Sequence, residues 1–136
     1  MKYFQINEHS DLPDIEQFAP FKAVLAIEEA VSDARQSEIA NWLVEMGGKY
    51  VMVCGEGCKS WESPIRQANL DKVDLEHMQP EDFVMITTHA HEKLRQVFWH
   101  AKKQAYHSHV KFDKILAINI GNKNRSVEYC SVFDKA

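Results

Sequence analysis

The sequence predicts an α/β fold, a three-layer αβα sandwich of Rossmann-like or flavodoxin-like type with four mainly parallel core strands. Three observations predict it. Four short apolar runs, "FKAVLAIE", "KYVMVCG", "DFVMITT" and "KILAINI", are bounded by turn or charged residues. They alternate little between apolar and polar residues, as strands covered on both faces do. Between them the apolar residues recur at helical spacing, so the order β-α-β-α-β-α-β builds a parallel sheet with right-handed crossovers and helices on both faces.

The first helix rests on Ile39, Trp42, Leu43 and Met46 at i, i+3, i+4 and i+7. Ser32 is its N-cap and the Gly47–Gly48 pair its stop. In "SPIRQANLDKV", Ser63 reads as a cap and Pro64 falls in the first turn, where its missing N–H is harmless. Leu94, Val97, Phe98, Ala101 and Ala105 form the stripe of a later helix, capped by Thr88. Trp42 and Trp99 fall in helices that must bury one face. His100, His107 and His109 read as surface residues around a helix end. The ends of the chain are less regular. "KYFQI" or "INIGNKNRSVEYCSVF" can supply an antiparallel edge strand, and the latter can instead end in a short helix.

At 136 residues the chain suits one α/β domain spanning 1–136, able to bury about two-thirds of its unfolded surface. A net charge of −4 argues against nucleic acid as a general partner. No apolar run approaches the roughly 20 residues that span a bilayer, and the N-terminus lacks a signal-peptide pattern. Three cysteines, Cys54, Cys58 and Cys130, make an odd count that fits reduced thiols and a cytoplasmic location rather than a disulfide framework. Any self-association defaults to a two-fold dimer.

In open parallel sheets, ligands bind beyond the carboxyl ends of the strands. Those ends carry Glu28 and Glu29, then Cys54 to Trp61, then Thr87, Thr88, His89 and His91, then Asn119. The stretch "VCGEGCKSW" invites several chemistries and fails most of them. A dinucleotide fingerprint needs a third Gly or Ala where Ser60 stands, and Glu56 would sit against a pyrophosphate. A P-loop needs Gly, Lys and Ser or Thr contiguous, whereas "GCKS" inserts a Cys. A phosphatase-type thiol loop lacks its Arg. Cys54 and Cys58, with His89 and His91, offer zinc-ligand types, but H-x-H is tighter than the usual spacing. No cofactor or metal is therefore expected. Cys58 near a helix start, with His89 as base, supplies the residue types of a thiol nucleophile.

The segments "ANWLVEMGGKYVMVCGEGCKSWESPIRQANL" and "EDFVMITTHAHEKLRQVFWHAKKQAYH" resemble an uncharacterised family of small bacterial α/β proteins, a domain of unknown function. The resemblance covers residues 20 to 121. It rests on Gly55, Cys58 and Trp61, on His89 and Glu92, and on Val97, Phe98 and Trp99. Cys54 and Thr88 stand where the family often has Trp, and Gly57 replaces an acid, so Cys54 and His91 fall outside the pattern. The resemblance implies the fold, shared roles for Cys58, Trp61 and His89, and no particular reaction.

The expectation is a binding domain for a small polar ligand or a partner protein, using a rim lined by Glu28, Glu56, Cys58, Trp61, Thr87 and His89. The competing expectations are a thiol-dependent transferase or hydrolase with Cys58 and His89 as catalytic residues, and an accessory or immunity-like interaction protein. Exposure of Trp99 or Tyr106 would favour the last.

Overall fold

Each apolar run becomes a strand. The computed structural model describes residues 1–136, with β1 at Lys2–Ile6, β2 at Phe21–Ile27, β3 at Gly48–Gly55, β4 at Met85–His89 and β5 at Lys114–Ile120. The helices are α1 at Asp33–Glu45, α2 at Glu62–Lys72, α3 at Leu94–Lys103 and α4 at Ser126–Lys135. All strand pairs are parallel, in the order β1-β5-β2-β3-β4. The four strands β4-β3-β2-β5 thus follow the 3-2-1-4 sequence of Rossmann-type doubly wound sheets.

Successive strand residues point to opposite faces, which splits the core in two. Ala23, Leu25, Val51, Val53, Leu116 and Ile118 pack with Ile39 and Leu43 of α1 and Ile65 of α2. Val24, Met52, Cys54 and Ala117 pack on the other face with Val97, Phe98 and Ala101 of α3 and Tyr129 of α4. The sandwich therefore has α1 and α2 on one side and α3 and α4 on the other. No helix is long and apolar enough to cross a membrane.

Ser32 caps α1 as expected, its Oγ accepting from the Arg35 N–H at 3.2 Å. Trp42 donates its indole N–H to the Pro13 carbonyl at 2.7 Å, tying the β1–β2 connection to the helix. The sequence expectation of an antiparallel edge strand is corrected at both ends. β1 is an edge strand but runs parallel to β5, because residues 7–20 carry the chain back across the sheet before β2 begins. The C-terminal segment adds no strand. It forms α4, whose Tyr129 is buried and whose Val132 and Phe133 pack against the α3 side of the core.

Other local expectations shift. Ser63 does not cap α2, because a 3₁₀ turn over Cys58–Trp61 runs straight into a helix starting at Glu62. Thr88 does not cap α3, because β4 continues through His89 and the cap position falls to Lys93. His107 is buried rather than superficial, its Nε2 lying 2.7 Å from the Phe83 carbonyl. Trp99 lies on the open face of α3, 45% exposed, and Tyr106 beyond the helix is 74% exposed.

Candidate functional site

The turn after β3 is shaped by its glycines. Gly55 has φ +92°, and a Cβ there would lie 2.2 Å from the Ile27 carbonyl oxygen. That carbonyl accepts the Glu56 N–H at 3.0 Å, which pins the turn to the end of β2. Gly57, at φ +66°, then reverses the chain into the 3₁₀ turn. The turn leaves Glu56 exposed and drives Cys58 and Trp61 inward, each only 2% exposed. Both belong to the core on the α1–α2 side. This is a packing hinge between strand and helix.

His89 sits on the opposite face. In β4 the side chains of Met85, Thr87 and His89 share one face, with Met85 packed against the α3 side of the core. The His89 ring is buried, with Nε2 2.7 Å from Thr87 Oγ1 and Nδ1 2.7 Å from Glu92 Oε2. The His100 ring lies 5.0 Å away, itself 3.4 Å from the Tyr50 hydroxyl through Nε2. The structure thus joins His89 to Thr87 and Glu92, and places the Cys58 thiol in the core across the sheet.

A depression of about 580 Å³ between the two turns is lined by Glu56, Cys58, His91 and Glu92, but not by Thr87, His89 or Trp61. His91 adopts φ +67° and is exposed, which separates it from buried His89. No three of Cys54, Cys58, His89 and His91 bring ligand atoms within 4.8 Å of one another; the group that does so is the exposed set Asp74, Glu76 and His77. Burial, reinforced by the nearby Cys58, Glu92 and Glu28, pushes the Cys54 thiol up to about 12. It is a core thiol at neutral pH.

Glu28 belongs elsewhere. The chain leaves β2 toward α1 on one face and leaves β5 toward α4 on the other, so the two loops part. Between adjacent strands such a divergence opens a crevice at the carboxyl edge. Here it measures about 210 Å³ and is lined by Glu28, Glu29, Gly121, Asn122, Lys123 and Arg125. Glu28 is held on both sides: Arg125 Nε is 2.7 Å from Oε1, and the Tyr129 hydroxyl donates to Oε2 at 2.8 Å. Burial first, and then this bond to Glu28, raise the Tyr129 phenol above its ordinary value. Arg125 also reaches Glu128 at 3.0 Å, the main cause of its raised guanidinium pKa.

Beneath Gly121 lies Asn119, fully buried at the end of β5. Its Nδ2 donates to the Tyr3 hydroxyl and to the Lys123 carbonyl, both at 2.9 Å. Its Oδ1 is the one buried side-chain polar atom without a hydrogen-bond partner. Of the sequence-expected site residues, only Glu28 lines this crevice. Gly121, Lys123 and Arg125 were hidden in "GNKNR", which reads as a turn. The available signal was Asn119, an amide inside the otherwise apolar run "KILAINI", since a buried polar residue is the informative exception in a core strand.

Fold and crevice together define a doubly wound α/β domain with a polar cleft at its topological switch point. The chain belongs to a domain of unknown function, DUF7684, whose family model matches residues 1–136 and so extends past both ends of the segments that carry the resemblance. Neither the curated proteins nor the solved structures contain a match.

Proposed function

We propose that the protein binds a small polar ligand in the crevice between the ends of β2 and β5. The observation that supports this most is the parting of the two loops over a cleft lined by four charged side chains, Glu28, Glu29, Lys123 and Arg125. A dinucleotide is a poor candidate, because the residues after β2 are Glu28 and Glu29 rather than a glycine-rich phosphate loop. The glycines of "GEG" follow β3, one strand away from the switch point. At about 210 Å³ the cleft falls below the roughly 300–1,000 Å³ of drug-sized sites, so the ligand is small. A thermal-shift panel of amino acids, sugars and small carboxylates tests the reading. The stabilising compound should lose its effect in Lys123→Glu and keep it in Glu56→Gln. The reverse pattern would move the site to the β3–β4 rim.

A second reading has one observation in its favour. The chain Thr87–His89–Glu92, with both links at 2.7 Å, has the connectivity of hydroxyl, base and orienting acid. Group transfer at His89 would then use a hydroxyl rather than the Cys58 thiol. Turnover of p-nitrophenyl acetate that disappears in both Thr87→Ala and His89→Gln would support it; no turnover above buffer would end it.

A further inference from the structure

The two edges of the sheet are finished differently. β1 opens on the exposed Lys2, a charge of the kind that keeps an edge strand from pairing with another chain. β4, at the opposite edge, has no Lys, no Pro and no bulge, and keeps an unbroken register with β3 from Met85 to His89. Met85, Ile86, Thr87 and Thr88 are all partly exposed.

Just before β4 the main chain is pinned by side chains. The Val84 N–H donates to Asn69 Oδ1 at 3.1 Å, the Val84 carbonyl accepts from Arg66 Nη1 at 2.9 Å, and the Phe83 carbonyl lies 2.7 Å from His107 Nε2. From Met85 onward the pinning stops. An edge strand turns a row of N–H and C=O groups outward. Apart from the β3 ladder, the one β4 backbone group with a partner in the chain is the His89 carbonyl, which accepts the Glu92 N–H at 3.4 Å.

We propose that β4 pairs with β4 of a second copy, antiparallel about a two-fold axis at Thr87, joining two five-stranded sheets into one. A two-fold contact uses the same patch on both copies, which forces the antiparallel direction. An axis on Thr87 pairs the whole strand: Met85 meets the partner's His89, Ile86 meets the partner's Thr88, and the two threonines at 87 face each other, a favourable cross-strand pair. The charges beyond the strand ends suit this orientation. Glu81 before β4 and Lys93 after it are both exposed. The neighbouring acids are engaged, Asp82 Oδ2 by the Gln79 N–H at 3.0 Å and Glu92 Oε2 by His89. Lys49 answers one of the two acids at 81 and 82, which leaves that end acidic. Reversing the second strand puts the Glu81 end of each copy beside the Lys93 end of the other. A foreign strand has the same row of backbone groups to use but owes nothing to that charge match. The inference is independent of the binding reading, since β3 separates β4 from the β2–β5 crevice, which stays open in both copies.

The test is sedimentation velocity of the full chain over a wide concentration range, with Thr87→Cys as the probe of register. Pairing one short strand makes a small contact, so the wild type should pass from monomer to dimer as concentration rises. The axis repeats each charge contact, so Glu81→Lys or Lys93→Glu should weaken the dimer about tenfold, and the two together should restore it. Directly opposed residues in an antiparallel pair have Cα atoms about 4.5 or 5.5 Å apart, both within the roughly 4.4–6.8 Å that a disulfide spans. Thr87→Cys, made in Cys130→Ser to remove the exposed thiol, should therefore oxidise to a covalent dimer, and Thr88→Cys in the same background should not. Far-UV circular dichroism checks that each variant is folded; if Thr87→Cys is not, the charge reversals decide alone. A wild type that stays monomeric at every concentration would overturn the proposal and leave the edge to a different partner. So would a dimer that the double charge reversal fails to restore, or one in which Thr87→Cys cross-links no better than Thr88→Cys.

Discussion

The β3–β4 rim and the β2–β5 crevice lie on the same edge of the sheet, yet their side chains are employed in opposite ways. At the rim Cys58 and Trp61 fill the core, and both ring nitrogens of His89 have partners. At the crevice Asn119 keeps an unpartnered oxygen and Glu29 an unpaired charge. Reactive residue types do not by themselves make a site. What distinguishes a site is capacity left over after folding has used the rest.

The contrast can be broken by stability measurements, and the largest effect belongs to the rim. Trp61→Ala should cost about 3–5 kcal/mol in urea unfolding, the range for removing a buried aromatic. His89→Ala should follow at about 1–3 kcal/mol, because it strips partners from Thr87 and Glu92 inside a half-buried network. A cost near zero for either would mean that the rim is free to do something else.

Thiol chemistry sharpens the same comparison. Exposed Cys130 should react quickly with a disulfide reagent, and Cys54 and Cys58 only on unfolding. With its thiol raised from 9.0 to about 12, folded Cys54 resists ionisation that the unfolded chain accepts. Its contribution to stability is therefore complete below about pH 9 and is lost as pH climbs toward 12. Tyr129, also raised, acts in the same sense above its ordinary 10.0. The urea midpoint should fall with rising alkalinity, and less steeply in Cys54→Ala. The smallest effect is reserved for the crevice: Glu29→Gln should change stability by no more than about 0.5 kcal/mol, as for other exposed substitutions away from structural contacts.

Much of the architecture was legible because it follows from local pattern. The apolar runs of β2 to β5 and the stripes of α1 and α3 declare themselves by period, and Ser32 by its position before a helix. The misread places are those where tertiary contacts outvote local signals. Ser63 yields to a turn anchored by Trp61 and Thr88 remains in a strand, while the tail takes the helical one of its two expected forms because Tyr129 and Phe133 find apolar cover. The proposed site was legible only in outline. Sequence marks the carboxyl edge and Glu28, but cannot say which face of the sheet a residue beyond a strand end will take.

The sequence alone determined the class of this protein, since alternating buried strands and amphipathic helices leave few ways to cover their apolar faces. Only the tertiary structure decided where a ligand could sit. Strand order brought β5 beside β2, parted their loops and left Asn119 short of one hydrogen bond. Those are relations between segments far apart in the chain, and no local pattern of residues encodes them.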